Sequence, residues 1–185
     1  MNPQLIEAGK ATITRGLGWL KRNQSEIAAI NDLSAHYKAP YLYAAIGDPV
    51  QGRHYANLIF TKYQQTDGDF RTTENEKGWA HLACSPANRY IYSNGWVICG
   101  LRRLGYYGAA EKGLDFVRRF QSPTEGGYAS RFDPQTRNVN LRFLDSSSTS
   151  SAGLALLACG DIKTAVQAGD FILRLLDAQP KPDKY

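Results

Sequence analysis

The feature that most limits how this 185-residue chain can fold is an internal repeat. Arg15-Gly16-x-x-Trp19-Leu20-x-x-x-Gln24 has the spacing of Lys112-Gly113-x-x-Phe116-Val117-x-x-x-Gln121, and Ala56-x-x-Ile59-Phe60-x-x-x-Gln64 is a looser copy. A degenerate fourth copy ends at Gln179, preceded by Ala168 and Phe171. Three glycines end apolar segments with nearly the same period: Gly47 in AAIGD, Gly105 in RRLGY and Gly160 in LACGD. Two chemically unrelated features sharing one period mark a supersecondary unit that recurs, and such units stack in a line or close into a ring.

Each period reads as a helix, a glycine stop and a second helix. Ile162, Ala165, Val166, Gly169, Ile172, Leu175 and Leu176 follow 3.6-residue spacing on one face. Asp161 is placed as an N-cap after Gly160, and Asp48-Pro49 starts the equivalent helix with proline at its first position. The helices before the glycine stops differ: SSAGLALLAC, residues 150–159, is small and apolar almost all round, as suits a helix buried on both sides. Without a convincing alternating strand pattern, the expectation is an all-α chain of about seven or eight helices forming one domain over 1–185.

Composition narrows the class. The chain is 43% hydrophobic and 21% charged, which is globular rather than disordered. Cys84, Cys99 and Cys159 show no C-x-x-C spacing, so reduced thiols in a cytoplasmic protein are expected. MNPQLIEAGK has no apolar signal core, and no stretch approaches a membrane span. The net charge of +5 comes from cations scattered in ones and twos, where a nucleic-acid partner calls for a basic stripe. The expectation is a soluble protein with no nucleic-acid partner and no membrane span.

The glutamine skeleton, followed at 126–128 by Gly-Gly-Tyr, resembles the QW repeat of the terpenoid cyclases and their prenyltransferase relatives. The resemblance implies an α/α toroid or an open arc of it, with an inner layer of helices around an apolar cavity and an outer layer carrying the repeats. The repeat then serves as mortar: its glutamine satisfies backbone groups left unpaired at a helix end, and its aromatic fills the gap between outer helices. In that arrangement the inner helices run the same way and three segments meet at one rim. They are Ser34-Ala35-His36-Tyr37-Lys38, Tyr90-Ile91-Tyr92-Ser93-Asn94-Gly95-Trp96 and Asp145-Ser146-Ser147-Ser148-Thr149. The gathered helix dipoles favour developing negative charge, and the aromatic faces suit apolar or cationic species.

From that rim come the candidate site residues. Asp145 is the one acid or base in a catalytic position, with His36, Tyr37, Tyr90, Tyr92, Trp96, Ser148 and Thr149 as substrate contacts. The segment at 145–149 is similar to the D-x-D-D-T-A motif of class II terpenoid cyclases in Asp145 and Thr149. Ser147 and Ser148 stand where that motif has the acids that protonate an alkene, and a serine hydroxyl cannot do so. No cofactor is implied. The Asp, Cys and later His of a prenyltransferase zinc site do not occur in that order, and no D-D-x-x-D stretch exists to hold magnesium. Asp67 and Asp69 in TDGDF read as a solvated turn before they read as a cation loop. The long segment 65–89 carries Trp79, His81 and Cys84; the last two lack a third group to orient them as base and nucleophile.

Three functions are therefore weighed. The first is a cyclase-like enzyme acting on an isoprenoid or polyene in an apolar cavity, and the second a non-catalytic toroid binding a hydrophobic small molecule or a protein partner. The third, a carbohydrate-active α/α barrel, needs acids around its centre that the inner helices do not supply. Three hairpins and a part make an open arc with exposed apolar ends, and a second copy of the chain, or another chain, is expected to cover them.

Overall fold

The computed structural model describes residues 2–73, 77, 90–133 and 136–180. Trp79, His81 and Cys84 lie outside the described residues. Contacts divide the chain into two compact units, residues 1–31 and 32–185.

The first unit holds α1 (Pro3–Arg22) and the short α2 (Gln24–Ala29). Asn2 starts α1 by accepting the Gln4 N–H at 3.0 Å, and Pro3 sits where a missing N–H is harmless. No residue of α1 is buried, and Leu5, Ile6, Ile13 and Trp19 are exposed.

The second unit is built from three helical hairpins. They are α3 (Ala39–Ala45) with α4 (Pro49–Lys62), α5 (Tyr92–Arg103) with α6 (Tyr107–Arg118), and α7 (Ser146–Cys159) with α8 (Ile162–Asp177). Gly47, Gly105 and Gly160 turn the hairpins with φ of 79°, 89° and 85°, a conformation that excludes most side chains. Asp48 and Asp161 then cap α4 and α8 by accepting the N–H groups of Gln51 and Thr164. The hairpins stand side by side in chain order. Helix α5 packs against both α3 and α7, so the first helices of the hairpins form one layer. Glycine allows the close contacts: a β-carbon on Gly95 would collide with Ser151 of α7, and one on Gly100 with Pro40 and Tyr41 of α3.

Two expectations are corrected. An antiparallel β-hairpin, β1 (Ala129–Asp133) and β2 (Asn138–Leu144), stands between α6 and α7 in a chain expected to be wholly helical. Its period of two is visible in β2, where Val139, Leu141 and Phe143 alternate with Asn138, Asn140 and Arg142. Ala129 and Phe132 of β1 are buried, Phe132 packing 4.7 Å from Tyr90 between ring centroids. With eight α-helices among the described residues, the chain is nonetheless mostly helical. The second correction concerns α7, which is covered on one side only. Ser151, Ala152, Ala155 and Leu156 are buried, whereas Leu154 and Leu157 are about half exposed (49% and 52%). The stripe on α8 is also wider than its covered face: Ala165, Ala168 and Phe171 are buried, and Ile162, Val166 and Leu176 are not.

Candidate functional site

The uncovered side of α7 forms one wall of a groove. Tyr92, Trp96, Cys99 and Arg103 lie along one face of α5, and Ser147, Ser151, Leu154 and Ala158 along the facing side of α7. Both sets have steps of four, three and four residues, which keeps side chains on one stripe of a helix. The close approach at Gly95, with Ser151 Oγ donating to the Tyr92 carbonyl at 2.6 Å, brings the two stripes together. Two hollows share Trp96, Ser151 and Leu154. One, of about 260 Å³, extends toward Tyr41, Arg103 and Leu157; the other, of about 320 Å³, opens toward Tyr92, Ser146 and Ser150.

A row of rings runs along this groove. Tyr37 meets Tyr92 edge-on at 6.2 Å, Tyr92 meets Trp96 at 6.3 Å, and Trp96 meets Tyr41 at 5.2 Å. Two cations face the row. Lys38 Nζ lies 5.5, 5.7 and 5.1 Å from the ring centres of Tyr37, Tyr92 and Trp96, and the Arg103 guanidinium stacks 4.7 Å from Tyr41. Burial, with the neighbouring Tyr92 adding to it, pushes the Tyr37 hydroxyl up to about 12. Trp96 Nε1 is buried without a hydrogen-bond partner.

Of the residues singled out in the sequence, Tyr92 and Trp96 line the groove, and Tyr37 backs it through Tyr92. The others stand elsewhere. His36 is buried between Tyr55 and Tyr63, each ring 6.0 Å away. Tyr90 is buried and donates its hydroxyl to Asp69 at 2.7 Å. Asp145 caps α7, one carboxylate oxygen accepting the Ser148 N–H at 2.9 Å while the other, Oδ2, is buried without a partner. Ser148 and Thr149 are fully buried, and Thr149 Oγ1 accepts the Tyr128 N–H at 2.9 Å. The serines that reach the groove are Ser146, Ser147, Ser150 and Ser151.

Comparison with protein-family models, curated proteins and solved structures finds no match to this chain.

A second polar cluster is enclosed in the core. Asp69 is fully buried, and its carboxylate accepts hydrogen bonds from the Phe70 N–H (2.8 Å), Asn94 Nδ2 (2.9 Å), Tyr90 and Lys77. Arg71 lies 3.6 Å from it and 3.5 Å from Asp67. Burial lowers the Lys77 ammonium to about 8 against the opposing pull of Asp69, and its nitrogen sits 4.4 Å from the Tyr90 ring centre. Although burial pushes the Asp67 carboxyl up, hydrogen bonds from Arg137 and the Asp69 N–H, with Arg71 nearby, hold it below the usual range. Both acids of TDGDF are thus answered by cationic side chains rather than arranged around a metal. Among the described residues no group of three or more His, Cys, Asp or Glu could hold one. No helix among them is long and apolar enough to cross a membrane.

Proposed function

We propose that the chain binds a hydrophobic small molecule in the groove between α3, α5 and α7, as an arc of a helical toroid without chemistry of its own. The observation that carries this reading is the half-exposed pair Leu154 and Leu157 facing Trp96 and Tyr41. Apolar side chains grouped in a concavity lose contact with water when a ligand fills it. Isothermal titration with farnesol, an isoprenoid alcohol, tests it. Saturable binding is expected, and Leu154→Glu should abolish it with helicity unchanged. Undiminished binding in that variant would remove the ligand from the groove.

The unpartnered Asp145 Oδ2 favours a second reading, a cyclase-like enzyme in which Asp145 is the acid and Tyr92 and Trp96 stabilise cationic intermediates. Asp145→Asn keeps an N-cap and removes the acid. Turnover of a linear polyene by the natural chain, lost in that variant, is the expected outcome of the enzymatic reading.

The exposed apolar residues of α8, Ile162, Val166 and Leu176 among them, support a homodimer in which a second copy covers the open end. Sedimentation equilibrium at micromolar concentration is expected to give twice 20.5 kDa.

A further inference from the structure

We infer that the groove takes an amphiphile with a single anionic head, a carboxylate on an unbranched apolar tail, and that it binds with the head at Lys38. The inference rests on the groove being a ligand site and adds the charge and direction of its ligand.

Carboxylates answer several cations of this unit. Arg118 is paired with Glu111, Asp115 and Asp161; Arg71 and Lys77 face Asp67 and Asp69; Arg137 reaches Asp67. Lys38 and Arg103, like Lys62, Arg102 and Arg119, have no carboxylate within 4.0 Å among the described residues and face aromatic rings, but the rings that Lys38 and Arg103 face belong to the groove. The side chains lining the two hollows include no Asp or Glu. An organic cation entering would find the rings already faced by an ammonium and a guanidinium of its own sign. A ligand carrying an anion gains from both the charge and the apolar floor.

The polarity of the lining sets the direction. Near Tyr92 and Trp96, where Lys38 stands, the walls carry the hydroxyls of Ser146, Ser147 and Ser150, which can donate to a carboxylate. Toward Arg103 the walls are Leu154, Leu157, Ala158 and Cys99, which suit a hydrocarbon tail. Trp96 and Arg103 are seven residues apart on α5, so the tail runs roughly 10 Å along the helix. One ammonium with no metal-holding acids beside it matches one negative charge, which points to a carboxylate rather than to a multiply charged head.

Calorimetric titration with decanoate, decanol and decyltrimethylammonium tests the inference. Decanoate is expected to bind most tightly, and Lys38→Met should weaken it about fivefold, the upper range of a solvent-exposed ion pair. Decanol should be unaffected by Lys38→Met, and Arg103→Met, which alters the wall at the tail end, should change decanoate and decanol binding by the same factor. Decanol binding as tightly as decanoate, with no response to Lys38→Met, overturns the anionic head while leaving the groove a ligand site. Decyltrimethylammonium binding tightest, or decanoate losing more than decanol in Arg103→Met but not in Lys38→Met, overturns the charge or the direction. If none of the three binds, the groove reading itself falls and this inference with it.

Discussion

Two turns of this chain are built on one skeleton and do different things. Gln64 to Phe70 and Gln121 to Tyr128 each begin with a glutamine that pairs back onto the aromatic at the turn's end. In both, the glutamine amide reaches the following hairpin: Gln64 donates to the Ala109 carbonyl of α6 at 2.9 Å, Gln121 to the Gln167 side chain of α8 at 3.3 Å. In both, a glycine with positive φ lies against that next helix, Gly68 on the Lys112 backbone and Gly126 on that of Gln167. The difference falls one residue later, at Asp69 against Gly127. Gly127 leaves room for the Phe171 ring, 2.7 Å from where a β-carbon would be. Asp69 turns the same position into the hub of a buried ionic cluster. The skeleton is the mortar between hairpins, and the residue after the glycine decides whether the joint is dry or charged.

Breaking the charged joint has the largest expected effect. Asp69→Gly makes the first turn resemble the second, leaving Lys77 and Arg71 buried without their common acid, and should cost about 3–5 kcal/mol. Chemical denaturation measures it. Adding Lys77→Met to Asp69→Gly should recover part of that loss, because the orphaned charge goes with it; a double variant as unstable as the sum of the singles would mean the two are not coupled.

Next come the shared glycines. Gly68→Ala places a β-carbon into the Lys112 carbonyl at φ +91° and should cost about 2–3 kcal/mol; Gly126→Ala, with 2.7 Å to the Gln167 oxygen, should cost somewhat less. Equal melting temperatures for the two variants would show that the turns tolerate a side chain alike.

The charged joint should also show in the pH dependence. Lys77 has its ammonium lowered to about 8 when folded and titrates near 10.5 when unfolded. Between those values the unfolded chain binds the extra proton, so the Lys77 contribution to stability rises with pH from about 8 to about 10.5. Subtracting the profile of Lys77→Met from that of the natural chain should leave this rising difference. A flat difference would place the proton elsewhere in the cluster of Asp69, Arg71 and Tyr90. The smallest effect belongs to the glutamines. Gln64→Ala should cost about 1 kcal/mol and Gln121→Ala less, since its bonds are longer and more exposed.

What the sequence disclosed was what short-range geometry controls. The stops at Gly47, Gly105 and Gly160, the caps at Asp48 and Asp161, and the glutamine joints at Gln64 and Gln121 each depend on a few neighbouring residues, and all appear at those positions. The groove depends on which face of α7 meets α5. Ser147, Ser148 and Thr149 are neighbours at the helix start, yet one residue is a rotation of about 100°. That step takes Ser148 into the core and leaves Ser147 facing the groove. Counting by four, three and four from Tyr92 and from Ser147 would have separated them. TDGDF also aligns with TEGGY residue for residue, but nothing local shows that Asp69 would meet Lys77 and Asn94, up to 25 residues away in the chain.

The forward reach of the two glutamines gives the molecule a polarity of its own. Each joint ties a hairpin to its successor, so α3–α4 is clamped by Gln64 and α5–α6 by Gln121, whereas α8 is the last helix among the described residues. Local opening should therefore start at the α8 end and travel backward through the joints in turn. In amide exchange the protection should climb in steps from α8 to α5, and a ligand seated between α5 and α7 should flatten the first step.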